Sequence, residues 1–178
     1  MKEHIYHVVT ERPMTLHQKI IFDEDHHNGV YHRVTTFMRI RNGDDAQGEL
    51  ADFIRSDMKR WKKVALRERA LEKVRMDLFP RYPSRMACLY TSRTLEEAEK
   101  WAKFFQELKR NVYSIVKLSV SGRIFDGDAC NCFDGTDDEV ENREKALRYW
   151  YNDVINEKPV IETLVDGEIV VEEIVRAF

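Results

Sequence analysis

Two apolar rhythms divide this chain of 178 residues, and neither runs its whole length. Leu50, Phe53, Ile54, Met58, Trp61, Val64 and Ala65, then Leu71, Val74 and Leu78, recur every three or four positions, the period of a helix with one buried stripe. "NVYSIVKLSV" instead alternates apolar and polar residues, the period of a strand covered on one side. A chain that switches period several times belongs to neither an all-helical nor an all-strand class, so the pattern predicts an α+β fold.

The helical rhythm gives one long helix or two consecutive ones, stopping at "FPRYP", where Pro80 and Pro83 forbid continuation. A further helix over "RTLEEAEKWAKFFQELKR" opens on a capping box, Thr94 with Glu97, and carries an apolar stripe of Ala98, Trp101, Ala102, Phe105 and Leu108. "DEVENREKALRYWYNDV" reads as the last helix. Strands are expected in "HIYHVVT", in "MACLYTS" and on both sides of a turn at Asn28-Gly29. "KPVIETLVDGEIVVEEIV" reads as a final strand pair about Asp166-Gly167, and "GRIFDGDACNCFDGTDD" as irregular, turn-rich chain. Without repeats or a low-complexity linker, residues 1–178 are expected to form one domain.

Composition narrows the function classes. The net charge is only −3, and no apolar run approaches the roughly 18 residues that span a bilayer. The opening "MKEHIYHVVTERPM" lacks the apolar core of a signal peptide, and three unevenly spaced cysteines (Cys88, Cys130, Cys132) argue against a disulfide framework. A cytoplasmic protein with no membrane partner is expected. Residues 55–85 carry eleven Lys/Arg against four Asp/Glu, whereas residues 134–178 carry thirteen Asp/Glu against five Lys/Arg. The plainer reading is that these are solvated helix faces that attract each other; the alternative is a basic surface for an anionic partner. Net acidity and interspersed acids predict no nucleic-acid binding.

Chemistry-bearing residues on the expected strands stand out more than any motif. Neither a Gly-rich phosphate loop nor a nucleophile elbow occurs. His4, His7, His26 and His27 with the Cys130-x-Cys132 pair match no zinc spacing, so no metal is expected. His7 lies between apolar residues, and Tyr90 ends a strand just before a helix. Glu162 falls between Val160 and Leu164 on one face of what reads as an interior strand. An ionised carboxylate there costs several kcal/mol unless it is paired or hydrogen-bonded.

Three of these segments resemble the ADP-ribosyltransferase superfamily of the diphtheria-toxin and poly-ADP-ribose-polymerase type, which mounts a His–Tyr–Glu set on successive strands. "YHVVT" resembles its histidine strand, "LYTSRTLEEAEKWA" its tyrosine strand with a second aromatic, ten residues lying between the two, and "IETLVDGEIVV" its glutamate strand. The whole chain also resembles a small bacterial family of this fold whose activity is not known. The resemblance implies a split, antiparallel-rich β-sheet core with flanking helices, and NAD as the substrate. It implies catalytic roles for Glu162, His7 and Tyr90, and NAD contacts from His7, Tyr90, Ser92 and Trp101. Glu162 would oppose the positive charge that develops on the ribose as nicotinamide leaves, and ADP-ribose would pass to an unknown acceptor. Val8 follows the histidine where the family has glycine, and Ala98 stands where polymerase-type members have serine. Those departures point to a second reading, a catalytically inactive module that binds a nucleotide, an ADP-ribose-like molecule or a protein.

Overall fold

A computed structural model describes residues 4–178 and divides the chain into two compact units, each discontinuous in sequence. The first comprises the chain up to His26 with Cys88–Asp126 and Ile161–Phe178; the second comprises His27–Ala87 and Gly127–Val160. Among the described residues there are five α-helices, and the strands form two antiparallel sheets. The α+β class is therefore observed.

The first unit is built on strands. β1 (Ile5–Val9), β4 (Ser114–Ser121), β7 (Gly167–Ala177) and β2 (Lys19–Phe22) form a four-stranded sheet in that order. β3 (Leu89–Thr91), β6 (Ile161–Val165) and β5 (Ile124–Asp128) form a three-stranded one. Ile5, Val9, Val116, Leu118, Ile169 and Val171 of the larger sheet bury against Val165 of the smaller. The other face of the larger sheet, Val8 and Ile115, is covered by Ala98 and Ala102 of α4 (Leu95–Glu107). The capping box of α4 is present as its sequence predicts, with the Thr94 hydroxyl accepting from Glu97 N–H and the Glu97 carboxylate accepting from Thr94 N–H, both at 3.2 Å. Leu108 falls at the helix end and is exposed.

The second unit is helical: α1 (Gly29–Arg41), α2 (Glu49–Arg55), α3 (Met58–Leu78) and α5 (Glu139–Tyr151). The long helical rhythm thus resolves into two helices, broken at Ser56 and Asp57, and the second ends just before Pro80. Val34, Phe37, Ile54, Trp61 and Ala65 make one core cluster of this unit. Lys62 and Lys63 reach Asp137 and Asp134 at 2.6 and 2.9 Å. The basic and acidic stretches do meet.

Three expectations are corrected. The segment after Asn28-Gly29 is helix α1, not a strand. Asn28 is its cap: its side-chain oxygen accepts from Val30 and Tyr31 N–H, while its amide nitrogen donates to Arg85 O at 2.8 Å. That capping, with Val34 and Phe37 buried, overrides the β-preference of the valines and threonines. The irregular segment contains a strand, β5. Finally, β6 and β7 do not pair with each other, because the chain changes sheets between them. Asp166 holds this corner, accepting from Arg123 N–H and Nε, both at 2.7 Å. Gly167 has φ of 77°, which favours glycine, and a Cβ on Gly122 would lie 2.1 Å from Asp166 O.

Candidate functional site

His7, Tyr90, Ser92, Trp101 and Glu162 all fall in the first unit. β1 and β3 touch where Tyr6 and Ser92 exchange two backbone hydrogen bonds, at 2.9 and 2.8 Å. One residue further along β1, the His7 ring bonds the Tyr90 carbonyl through Nδ1 at 2.8 Å. A carbonyl only accepts, so Nδ1 carries the proton and Nε2 is left as an acceptor. The imidazole keeps some accessible surface but sits deep among protein atoms. That burial lowers its pKa to about 4, against smaller opposing effects of the Tyr90 carbonyl and Glu11. His7 is neutral at physiological pH.

β3 pairs with β6 so that Tyr90 faces Leu164 and Thr91 faces Thr163. Cross-strand partners project to the same side, and side chains alternate along a strand. Tyr90, Leu164 and Glu162 therefore share one face, with Glu162 diagonal to Tyr90 at about 7–8 Å. Glu162 is 8 % exposed and Leu164 is fully buried. Trp101 is half-buried on α4, and its indole N–H donates to Ile161 O, next to Glu162, at 3.3 Å. Its ring stacks on Phe105 at 5.6 Å between centroids. Histidine and tyrosine thus meet through a backbone carbonyl, and tryptophan meets the glutamate strand through another.

The opposite face of the same sheet carries residues that sequence reasoning passed over. Thr91 Oγ1 donates to Thr163 O, and Thr163 Oγ1 donates to Asp126 Oδ1, both at 2.7 Å. Arg93 grips the Asp126 carboxylate through Nε and a terminal nitrogen at 2.8–3.2 Å. Burial alone would raise the Asp126 pKa, but Arg93 and the Thr163 hydroxyl hold it below the usual range. Only the alternation in "IFDGD" within a turn-rich segment hinted that Asp126 sits on a strand.

The second unit has its own buried charges. Glu68, 1 % exposed, accepts from Arg85 Nε at 3.0 Å and Arg67 Nε at 2.9 Å. Arg85 also donates to Tyr149 Oη at 2.6 Å and lies 3.8 Å from Cys132 Sγ. Desolvation pushes the Glu68 pKa up, but the two guanidinium groups outweigh it, so this carboxyl stays ionised. Asp128 closes the turn Ala129–Asn131, accepting from Cys130 N–H, Val160 N–H and the Asn156 amide at 2.7–2.9 Å. Among the described residues no helix is long and apolar enough to cross a membrane.

Among the described residues, two antiparallel sheets and five helices, with β3 touching β1 and paired with β6, define the protein at the level of its class. Residues 5–177 match the family described as "Protein of unknown function (DUF2441)", and the chain belongs to that family. Comparison with curated proteins finds no match.

Proposed function

We propose that this protein is an NAD-dependent ADP-ribosyltransferase of the His–Tyr–Glu type, with a core of the ADP-ribosylation fold. The observation that carries the reading is the convergence of three strands distant in sequence. His7 is bonded to Tyr90 O, and Tyr90 lies diagonal to Glu162 across one strand pair. In the reaction, the bond between nicotinamide nitrogen and ribose carbon breaks, and its electron pair leaves with nicotinamide. A lone pair of the acceptor forms the new bond to that carbon, and the acceptor's proton goes to solvent. Glu162 opposes the positive charge on the ribose and holds a ribose hydroxyl. His7, neutral and with Nε2 unprotonated, accepts from another hydroxyl. Tyr90 and Trp101 offer aromatic surface to nicotinamide, and Ser92 follows β3 directly, paired with Tyr6 of β1.

Low exposure of Glu162, and commitment of the Trp101 N–H to backbone, favour the second reading, a nucleotide- or ADP-ribose-binding module without turnover. Incubation with nicotinamide-labelled NAD, alone and with cell lysate, separates the two. Nicotinamide release above a no-protein control is expected; NAD or ADP-ribose binding without release selects the module, and neither binding nor release rejects both.

A further inference from the structure

We infer that Thr163, backed by Asp126 and Arg93, is a positioning residue for Glu162, an inference that rests on the reading just given. The direction of the Glu162 side chain is set by the backbone at 161–163, and the carbonyls on both sides of it are tied down. Ile161 O accepts from the Trp101 indole at 3.3 Å, and Thr163 O accepts from the Thr91 hydroxyl at 2.7 Å. Strand pairing alone requires neither bond.

Thr163 then makes the connection that fixes its own rotation. Its hydroxyl donates to Asp126 Oδ1, and Arg93 locks that carboxylate with a two-pronged grip. Arg93 is anchored in turn, its backbone N–H donating to Glu97 Oε2 at 3.2 Å in the first turn of α4. The chain of bonds therefore ties β6 to β3, β5 and the start of α4. Buried threonine hydroxyls lose stability when left unsatisfied; here the Thr91 hydroxyl is directed at the carbonyl of Thr163, which flanks Glu162, and the Thr163 hydroxyl at Asp126. Thr163 is completely buried, and its side chain projects from the strand face opposite Glu162. It has no route to a substrate, so any effect it has on chemistry is indirect, and Glu162 is its immediate neighbour in the strand.

The test compares T163V, which keeps the shape and removes the hydroxyl, with T163S, which keeps the hydroxyl. Both are assayed as folded protein for nicotinamide release. Misplacing a catalytic group by a fraction of an ångström to one ångström costs on the order of tenfold to a hundredfold in rate. T163V is expected to lose that much in kcat with KM within about threefold, and T163S to recover most of it. A T163V protein with normal kcat and only a lower melting temperature overturns the inference and leaves the proposed function standing. Absence of turnover in the unmodified protein overturns both, and is recognised without any variant. A second readout, independent of turnover, is the carboxyl 13C resonance of Glu162, assigned by its disappearance in E162Q. It is expected to shift in T163V and return in T163S; an unmoved resonance overturns the inference.

Discussion

Glu68 of the helical unit and His7 of the sheet unit are buried in opposite charge states. In the helical unit, Glu68 is kept charged because Arg85 and Arg67 outweigh the cost of burying it. In the sheet unit, His7 is kept neutral because burial disfavours its cation and its nearest partner is an uncharged carbonyl. The contrast follows from the partners. Glu68 on α3 is reached by the guanidinium groups of Arg67 and Arg85, whereas the His7 ring on β1 meets a backbone carbonyl. Glu68 is what a structural carboxylate looks like here, clamped by two guanidinium groups, and it is the standard against which Glu162 is to be measured.

The largest effect is expected at Glu68. Glu68→Gln leaves Arg85 buried without its counter-charge, which costs about 3–5 kcal/mol, visible as a lower denaturant midpoint. A Glu68→Leu/Arg85→Met double variant should recover most of that loss. If the single variant is nearly neutral, the contrast between the units is broken.

Glu162→Gln should do the reverse. Nicotinamide release is expected to fall by about a hundred- to a thousandfold, or about 3–4 kcal/mol in the barrier, with NAD affinity within a few-fold. Stability should hold or rise. A clear loss of melting temperature with no change in any NAD-dependent signal would make Glu162 a second Glu68.

Titration sharpens the comparison next. The folded value for His7 is about 4 against an ordinary 6.5, so the unfolded chain takes up the proton first as pH falls. Stability should begin to drop near pH 6.5 and level off below about 4, with a ceiling of about 3 kcal/mol. A His7→Gln variant, which keeps a donor for the Tyr90 carbonyl, should lose that slope. Glu68 contributes in a lower window: its folded value is depressed, so its stabilisation is present above the ordinary carboxyl value and lost as pH falls through the folded one. Urea midpoints measured from about pH 2.5 to 7 on the parent and the His7→Gln variant check this.

The smallest effect is expected on the surface of the helical unit. Lys62 and Lys63 already meet Asp137 and Asp134, so a Lys62→Gln/Lys63→Gln variant should match the parent in melting temperature at moderate salt. DNA and RNA should not bind at physiological ionic strength. Salt-sensitive binding would show that these pairs open to a polyanion.

Signals contained within a few residues determined a good part of this protein from sequence alone. The capping box at Thr94 and Glu97 set the start of α4, Pro80 set the end of α3, and the alternation in "NVYSIVKLSV" set β4. Glu162 between apolar neighbours was visible as an anomaly for the same reason, since strand alternation is a local property. What only the tertiary structure decided is everything that depends on which distant segment arrives. Asn28-Gly29 suits a hairpin turn and a helix cap equally well until Arg85 O accepts the Asn28 amide. Asp166-Gly167 suits a hairpin until Arg123 captures Asp166 and sends β6 and β7 into different sheets. The Thr163–Asp126–Arg93 chain was beyond reach because it joins three segments, one of them disguised as loop. Periodicity records which face a residue turns inward, but the partner waiting there is fixed by non-local pairing, whose geometry no short window of sequence contains.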